Sequence, residues 1–298
     1  MTILCPIDFS EPSRGALRYA AVAAAYAGES LTLLTVNDPL LAQAAAMASG
    51  AGSLDRDARR ELEQFFHDTF SGSPPGVAVH YAVATGKPDA EILRLAAGQA
   101  RLIVMSSRGA TGIRKLFLGS VTERVLRATA VPVLVTPPAG AGPAAPDDIK
   151  KTVRRILVPV DITITGSPEQ TVEAARQIGV LLDAPILLIH VIEPVRTMVP
   201  GHAFAANVDS ERRGRAEQRL QQLVEQLPSQ PRIEPMVVFG EPAEEIAKIA
   251  SDRQAGLIVM GLHASAMAGA RMGSVTYRVL SVTHGLVLAL PPQAAEGA

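Results

Sequence analysis

The sequence predicts an α/β protein built from two tandem, doubly wound parallel sheets of five strands each. Three observations carry that expectation. The chain of 298 residues repeats itself at a nearly constant spacing. Each repeat alternates short apolar runs with helical patterns. A segment rich in Pro, Gly and Ala separates the repeats.

The repeat is read from four matched blocks in one order. Ile3–Asp8 (ILCPID) is matched by Ile156–Asp161 (ILVPVD), with the aspartates 153 residues apart. Leu31–Val36 (LTLLTV) is matched by Ile186–Val191 (ILLIHV), with the valines 155 apart. Leu102–Met105 and Leu257–Met260 both read LIVM, again 155 apart. Gly119-Ser120-Val121-Thr122 recurs as Gly273-Ser274-Val275-Thr276, now 154 apart. Both copies close on a β-like run and a Pro-Pro pair. Self-similarity at such a period means a duplicated unit, and about 150 residues is an ordinary domain size. The boundaries are residues 1–137 for the first domain, 138–150 for a linker, 151–292 for the second domain and 293–298 for a tail. The linker, Pro137–Lys150, has no apolar period and reads as solvated and semi-extended.

In the first copy Thr2–Ile7 is a buried strand. Ser10 is placed to cap the helix that follows, and Pro12 suits its first turn. Leu31–Val36 is the second strand. Ala42–Gly52, with Leu40, Leu41 and Met47, reads either as a mobile flap over the first cleft or as a long loop with no such role. Asp55–Phe70 has helical period, with Leu62, Phe65 and Phe66 on one face. Val77–Val83 alternates as a third strand, and Asp89–Gln99 is a helix. Leu102–Met105 is a fourth strand, Ser120–Ala128 a helix and Val131–Val135 a fifth strand. The second copy repeats this order, and its first helix opens on Ser167-Pro168-Glu169-Gln170. Continuous apolar strands joined by helices require a parallel sheet covered on both faces. Val131–Val135 and Leu286–Ala289 fall at the sheet edges, where pairing would join the halves, or two chains, as a pseudo-dimer or a homodimer.

Composition removes several function classes. Lys+Arg 28 against Asp+Glu 29 gives a formal net charge of -1, which is no footprint for nucleic acid or anionic lipid. Aromatics are 4% and Trp is absent, so stacking platforms for single strands are not expected. The chain has 1 cysteine, Cys5, which excludes an intrachain disulfide and reads as a small core hydrophobe. The six histidines His67, His80, His190, His202, His263 and His284 show no metal-ligand spacing, so no metal site is expected. No secretory signal and no apolar run of about 20 residues is read, which makes a cytoplasmic protein the expectation. A Walker loop, a Gly-x-Ser-x-Gly elbow and a Ser-His-Asp set are missing, so no catalytic residues are assigned.

In a doubly wound sheet, ligands bind beyond the C-terminal strand ends. In the first copy those ends hold Asp8, Val36 and the loop Ser106–Ser120 (SSRGATGIRKLFLGS). Gly109 and Gly112 permit positive φ and close approach of backbone to a ligand. Arg108, Arg114 and Lys115 bring positive charge. Gly119-Ser120 opens a helix whose N–H groups and dipole favour an anion. The bland alternative is that Ser120, in Ser120-Val121-Thr122-Glu123, is only a capping box.

On these residues the chain resembles a tandem universal stress protein over nearly its whole length. Nucleotide-binding members of that family carry Gly-x2-Gly-x9-Gly-(Ser/Thr) after strand four, an Asp ending strand one and a Val ending strand two. The first copy reads Ser106-x2-Gly109-x9-Gly119-Ser120, with Ser106 where the first Gly is expected. The second reads Gly261-x2-Ala264-x8-Gly273-Ser274, one residue shorter and with no Lys or Arg before Arg271. The resemblance implies a Rossmann-like, adenine-nucleotide-binding fold, with ATP or AMP, and Mg2+ accompanying it, bound mainly by the first copy. It implies that Asp8 and Val36 hold the nucleoside end, and that Gly109, Gly119, Ser120 and Val121 hold the phosphates, with Arg108 and Ser106 beside them. A weaker second site would use Asp161, Val191, Gly261, Gly273, Ser274 and Val275, with His263 in its loop. The resulting function is a stress-response sensor or regulator that acts on a signalling partner the sequence does not name. Two other readings stay open: a ligand-free scaffold with degenerate sites, and a weak ATPase with Asp8 as its base.

Overall fold

The computed structural model describes residues 1–50, 52–71, 76–109, 118–138, 142–143, 145–162, 168–194, 202–262 and 272–292. The first unit runs β1 (Thr2–Pro6), α1 (Glu11–Ala27), β2 (Ser30–Asn37), α2 (Pro39–Ser49), α3 (Ser53–Phe70), β3 (Val79–Thr85), α4 (Pro88–Ala96), β4 (Ala100–Ser106), α5 (Ser120–Ala128) and β5 (Val133–Thr136). A short α6 (Asp148–Thr152) leads to the second unit. That unit is β6 (Ile156–Pro159), α7 (Pro168–Leu182), β7 (Ile186–Ile192), α8 (His202–Glu225), β8 (Ile233–Phe239), α9 (Pro242–Asp252), β9 (Leu257–Gly261), α10 (Ser274–Val282) and β10 (Leu286–Leu290).

The strands form one sheet in the order β3-β2-β1-β4-β5-β10-β9-β6-β7-β8. Within each unit the pairs are parallel. Between the units β5 and β10 run antiparallel, with Val135 opposite Val287, Leu134 opposite Leu288 and Val133 opposite Ala289. Each unit is thus a five-stranded doubly wound sheet, and the strands expected at the edges are paired to each other. Cores follow from this. On the α4, α5, α9 and α10 face, one cluster joins Leu4, Val125, Leu126 and Val135 of the first unit to Val279, Leu280 and Val287 of the second. The other face is split between Leu17, Leu33 and Phe66 in the first unit and Val158, Leu188 and Leu220 in the second.

Local chemistry explains the helix starts. Ser10 is the N-cap of α1, its hydroxyl accepting from the Ser13 N–H at 3.3 Å, and Pro12 lies in the first turn. The α1 helix stops at Gly28, whose φ of 63° is the left-handed cap that glycine adopts without strain. Two segments differ from the sequence expectation. Residues expected as a loop at Ala42–Gly52 lie mostly in α2, because Asp38 caps the Leu40 N–H at 2.8 Å and alanines fill the turns that follow. The end of the linker is not extended. Asp148–Thr152 coils into α6, burying Ile149 and Val153, since both apolar side chains find the core of the second unit. Ser167, expected to cap α7, lies outside the described residues.

Candidate functional site

The first cleft is assembled at the C-terminal ends of β1, β2 and β4. The Ile7 N–H donates to the Leu34 carbonyl at 2.8 Å, which keeps the chain in register up to Asp8. The turn after it is tight. Phe9 takes φ 61°, an unusual conformation for a bulky residue, and its ring packs edge-on to Phe65 at 5.6 Å. The Asp8 carboxylate accepts from the Ser10 N–H at 3.1 Å and from the Ser10 hydroxyl. Asp8 is therefore held, exposed, over the strand ends. The same carboxylate faces Cys5, whose thiol is pushed up from its usual range mainly by burial and secondarily by that charge. Cys5 is fully buried in β1, an environment that holds the thiol protonated.

Opposite Asp8 lies Gly109. A Cβ built there would stand 2.5 Å from Asp8 Oδ2, so only glycine fits without displacing the carboxylate. This refines the expectation from sequence: Gly109 is needed for close approach and not for a left-handed φ. Ser106, at the end of β4, is buried, and its hydroxyl accepts from the Arg108 N–H at 3.3 Å. The Ser where glycine was expected thus braces the loop. The Thr122 hydroxyl donates to the Ser106 carbonyl at 2.9 Å, tying the first turn of α5 to the strand end.

The N-terminus of α5 differs from the capping-box expectation. Its N-cap is Gly119, with no side-chain cap bond, and Ser120 is the first helical residue. Glu123 reaches forward to Arg127 at 2.9 Å instead of back to the cap. The Gly119 N–H donates to the Ser107 carbonyl at 2.8 Å, so Gly119 closes the loop. The helix's own ladder begins with the Glu123 N–H on the Gly119 carbonyl, at 2.9 Å. The N–H groups of Ser120, Val121 and Thr122 take no partner from the helix, and such groups suit an anion. A Cβ on Gly119 would lie 3.3 Å from the Ser107 carbonyl, a tight approach. Val36, half-buried at the end of β2, pairs in register with Ala84. Beside it Asn37 donates to Asp55 at 2.9 Å. Gly112, Arg114 and Lys115 lie outside the described residues.

The second cleft places Asp161 after β6, Val191 in β7, Gly261 at the end of β9 and Gly273-Ser274-Val275 at the start of α10. It repeats one brace, the Thr276 hydroxyl on the Gly261 carbonyl, at a looser 3.5 Å. A Cβ on Gly273 meets nothing within 4 Å among the described residues, in contrast to Gly119. His263, Ala264 and Arg271 lie outside them. One buried polar residue beside these strand ends was given no role from the sequence. His190 is buried in β7, its Nδ1 3.0 Å from the Val160 carbonyl and so next to Asp161. Thr35 holds the same strand position in the first copy, and that difference between the copies was the available signal. Among the described residues no group of three His, Cys, Asp or Glu is arranged to hold a metal, and no helix is long and apolar enough to cross a membrane.

The profile of the Universal stress protein family matches residues 1–137 and again 152–291. A universal stress protein of Methanocaldococcus jannaschii, MJ0577, is 28% identical over 149 residues, covering 45% of this chain and 92% of the relative. A second from the same organism, MJ0531, is 44% identical over 61 residues, covering 20% of this chain and 36% of its own length. Among solved structures, a universal stress protein from Archaeoglobus fulgidus superposes with a TM-score of 0.63 at 21% identity, covering 99% of this chain and 97% of that one. Two strand-end clefts in tandem and a family profile matched twice lead to one conclusion: the chain belongs to the universal stress protein family, carrying two copies of its domain.

Proposed function

We propose that the protein is a stress-response sensor or regulator, working in the cytoplasm, that binds ATP or AMP in its first cleft. The observation that carries this is the apposition of Asp8 and Gly109 beside the open first turn of α5. Asp8 is an acceptor suited to the hydroxyls or amino group of a nucleoside. The N–H groups of Ser120 and Val121 are donors suited to phosphate, with Arg108 alongside. Mg2+ would accompany the phosphates. The looser brace at Gly261 supports weaker binding in the second cleft.

The test is a thermal melt with and without millimolar ATP–Mg2+. Nucleotide at 100 times its dissociation constant stabilises by about 2.7 kcal/mol. We expect an upward shift that Gly119→Leu abolishes, because the larger side chain meets the Ser107 carbonyl. No shift with ATP or AMP, and no nucleotide in denatured extracts of the purified protein, would leave the ligand-free scaffold as the better reading. One observation favours that second reading: the Gly119 N–H is already taken by Ser107.

A further inference from the structure

The face of the sheet that carries α1 and α7 has a gap above the junction of the two units. The α1 helix packs on β1 and β4, and α7 on β6 and β9. Between those supports lie β5, which α1 also touches, and β10; among the described residues neither is covered by a helix centred on it on this side. Strands about 4.8 Å apart set the two helix axes roughly 19 Å apart, against the 8–10 Å at which helices pack. The space left is one helix wide.

It is a cavity of about 580 Å³, inside the usual range of small-molecule sites. One wall is a helical stripe of α1: Tyr19, Val22, Ala23 and Tyr26. The other is the matching stripe of α7: Ala174, Ile178 and Leu181. Leu134 and Leu288, opposite each other in the junction, form the floor. Leu181 is 50% exposed despite its position, so the wall continues to the mouth. The floor runs along β10 from Leu286 to Leu290, about 13–17 Å at strand rise. Ile149 of α6 closes one end. Arg101 and Pro132 stand at the other. Among the described lining residues, Arg101 is the one charged side chain. Its guanidinium gives one donor to Glu29 at 3.3 Å and remains 62% exposed. The fork carries further N–H donors for a second carboxylate.

A long, narrow, apolar trough with the Arg101 guanidinium at one end, where Glu29 is shared with the N-terminal ammonium, fits a linear amphiphile with an anionic head. We propose that this groove is a ligand site for one medium-chain fatty carboxylate, its chain over the β5–β10 junction and its carboxylate on Arg101. This goes beyond the nucleotide reading and uses none of that cleft's residues.

The experiment titrates the full chain with dodecanoate below its micelle concentration, by calorimetry and by tyrosine fluorescence. Two of the 4 tyrosines, Tyr19 and Tyr26, line the groove, and there is no Trp to mask them. We expect saturable binding of one dodecanoate per chain. Ala23→Phe and Ala174→Phe, one on each wall, should each weaken it at least tenfold while circular dichroism and the response to ATP–Mg2+ stay as in the parent. Arg101→Gln should retain binding but remove about tenfold of the preference for dodecanoate over dodecanol. Non-saturable uptake, or parental affinity in both phenylalanine variants, overturns the proposal. So does a chain that sediments as a dimer without ligand and becomes monomeric on Ala23→Phe, because the occupant is then a second copy.

Discussion

At the scale of single residues, two glycines in matched positions do different work. Gly119 is crowded by the Ser107 carbonyl, whereas Gly273 has open space around its Cα among the described residues. Both are helix N-caps with no side-chain bond. We therefore expect Gly273→Ser to stabilise by a few tenths to about 1 kcal/mol, through a new cap and a less flexible unfolded chain. Gly119→Ser should give no such gain, and urea titrations of the two variants compare them directly. Gly109→Ala has another signature. Its Cβ collides with the Asp8 carboxylate while its φ stays ordinary, so we expect the ATP-induced shift to fall with global stability changed by no more than about 1 kcal/mol. Cys5 gives a pH prediction. Its folded pKa is raised by burial, so the unfolded chain loses the thiol proton first as pH rises. Stability is then whole below about pH 8.5 and declines above it, by up to about 1.4 kcal/mol per pH unit. Cys5→Ala should flatten that alkaline slope, read from melts between pH 8 and pH 10.

At the scale of elements, α2 shows what pattern reading sees and what it misses. A hydrophobic period reports a buried face. In α2, Leu40, Leu41 and Met47 are 74%, 65% and 79% exposed, so no such face is written into the sequence. The helix rests on alanine propensity and on the Asp38 cap, which leave a weaker trace. Asp38→Ala should cost about 0.5–2 kcal/mol of local helix stability. We expect faster amide exchange confined to residues 40–49 and a nearly unchanged global melt, as for an element held apart from the main core. The opposite holds for β1, β2 and β4, whose short, mostly apolar runs are legible at once. The reason for Gly109 was not. A spacing motif marks the glycine, but its crowding by Asp8 is a contact between residues about 100 positions apart. The trough between α1 and α7 was equally invisible, since it is made by residues of elements far apart in the sequence.

At the scale of the molecule, the β5–β10 junction joins the two repeats in one sheet and one core. The core that joins Val135 to Val287 is continuous from α4 to α9. We expect calorimetry to show a single unfolding transition. Val287→Asp, which places a charge where Val287 is 2% exposed, should lower stability by about 3 kcal/mol or more and split that transition. The same junction sets a direction for each half. Because its two strands run in opposite senses, the carboxyl ends of one repeat's strands point away from those of the other. The two clefts open at opposite poles of the sheet. A bound molecule at one pole cannot touch its counterpart at the other, and any cross-talk must travel as strain or rigidity through the shared strands, at the cost of one coupling free energy felt equally from both ends.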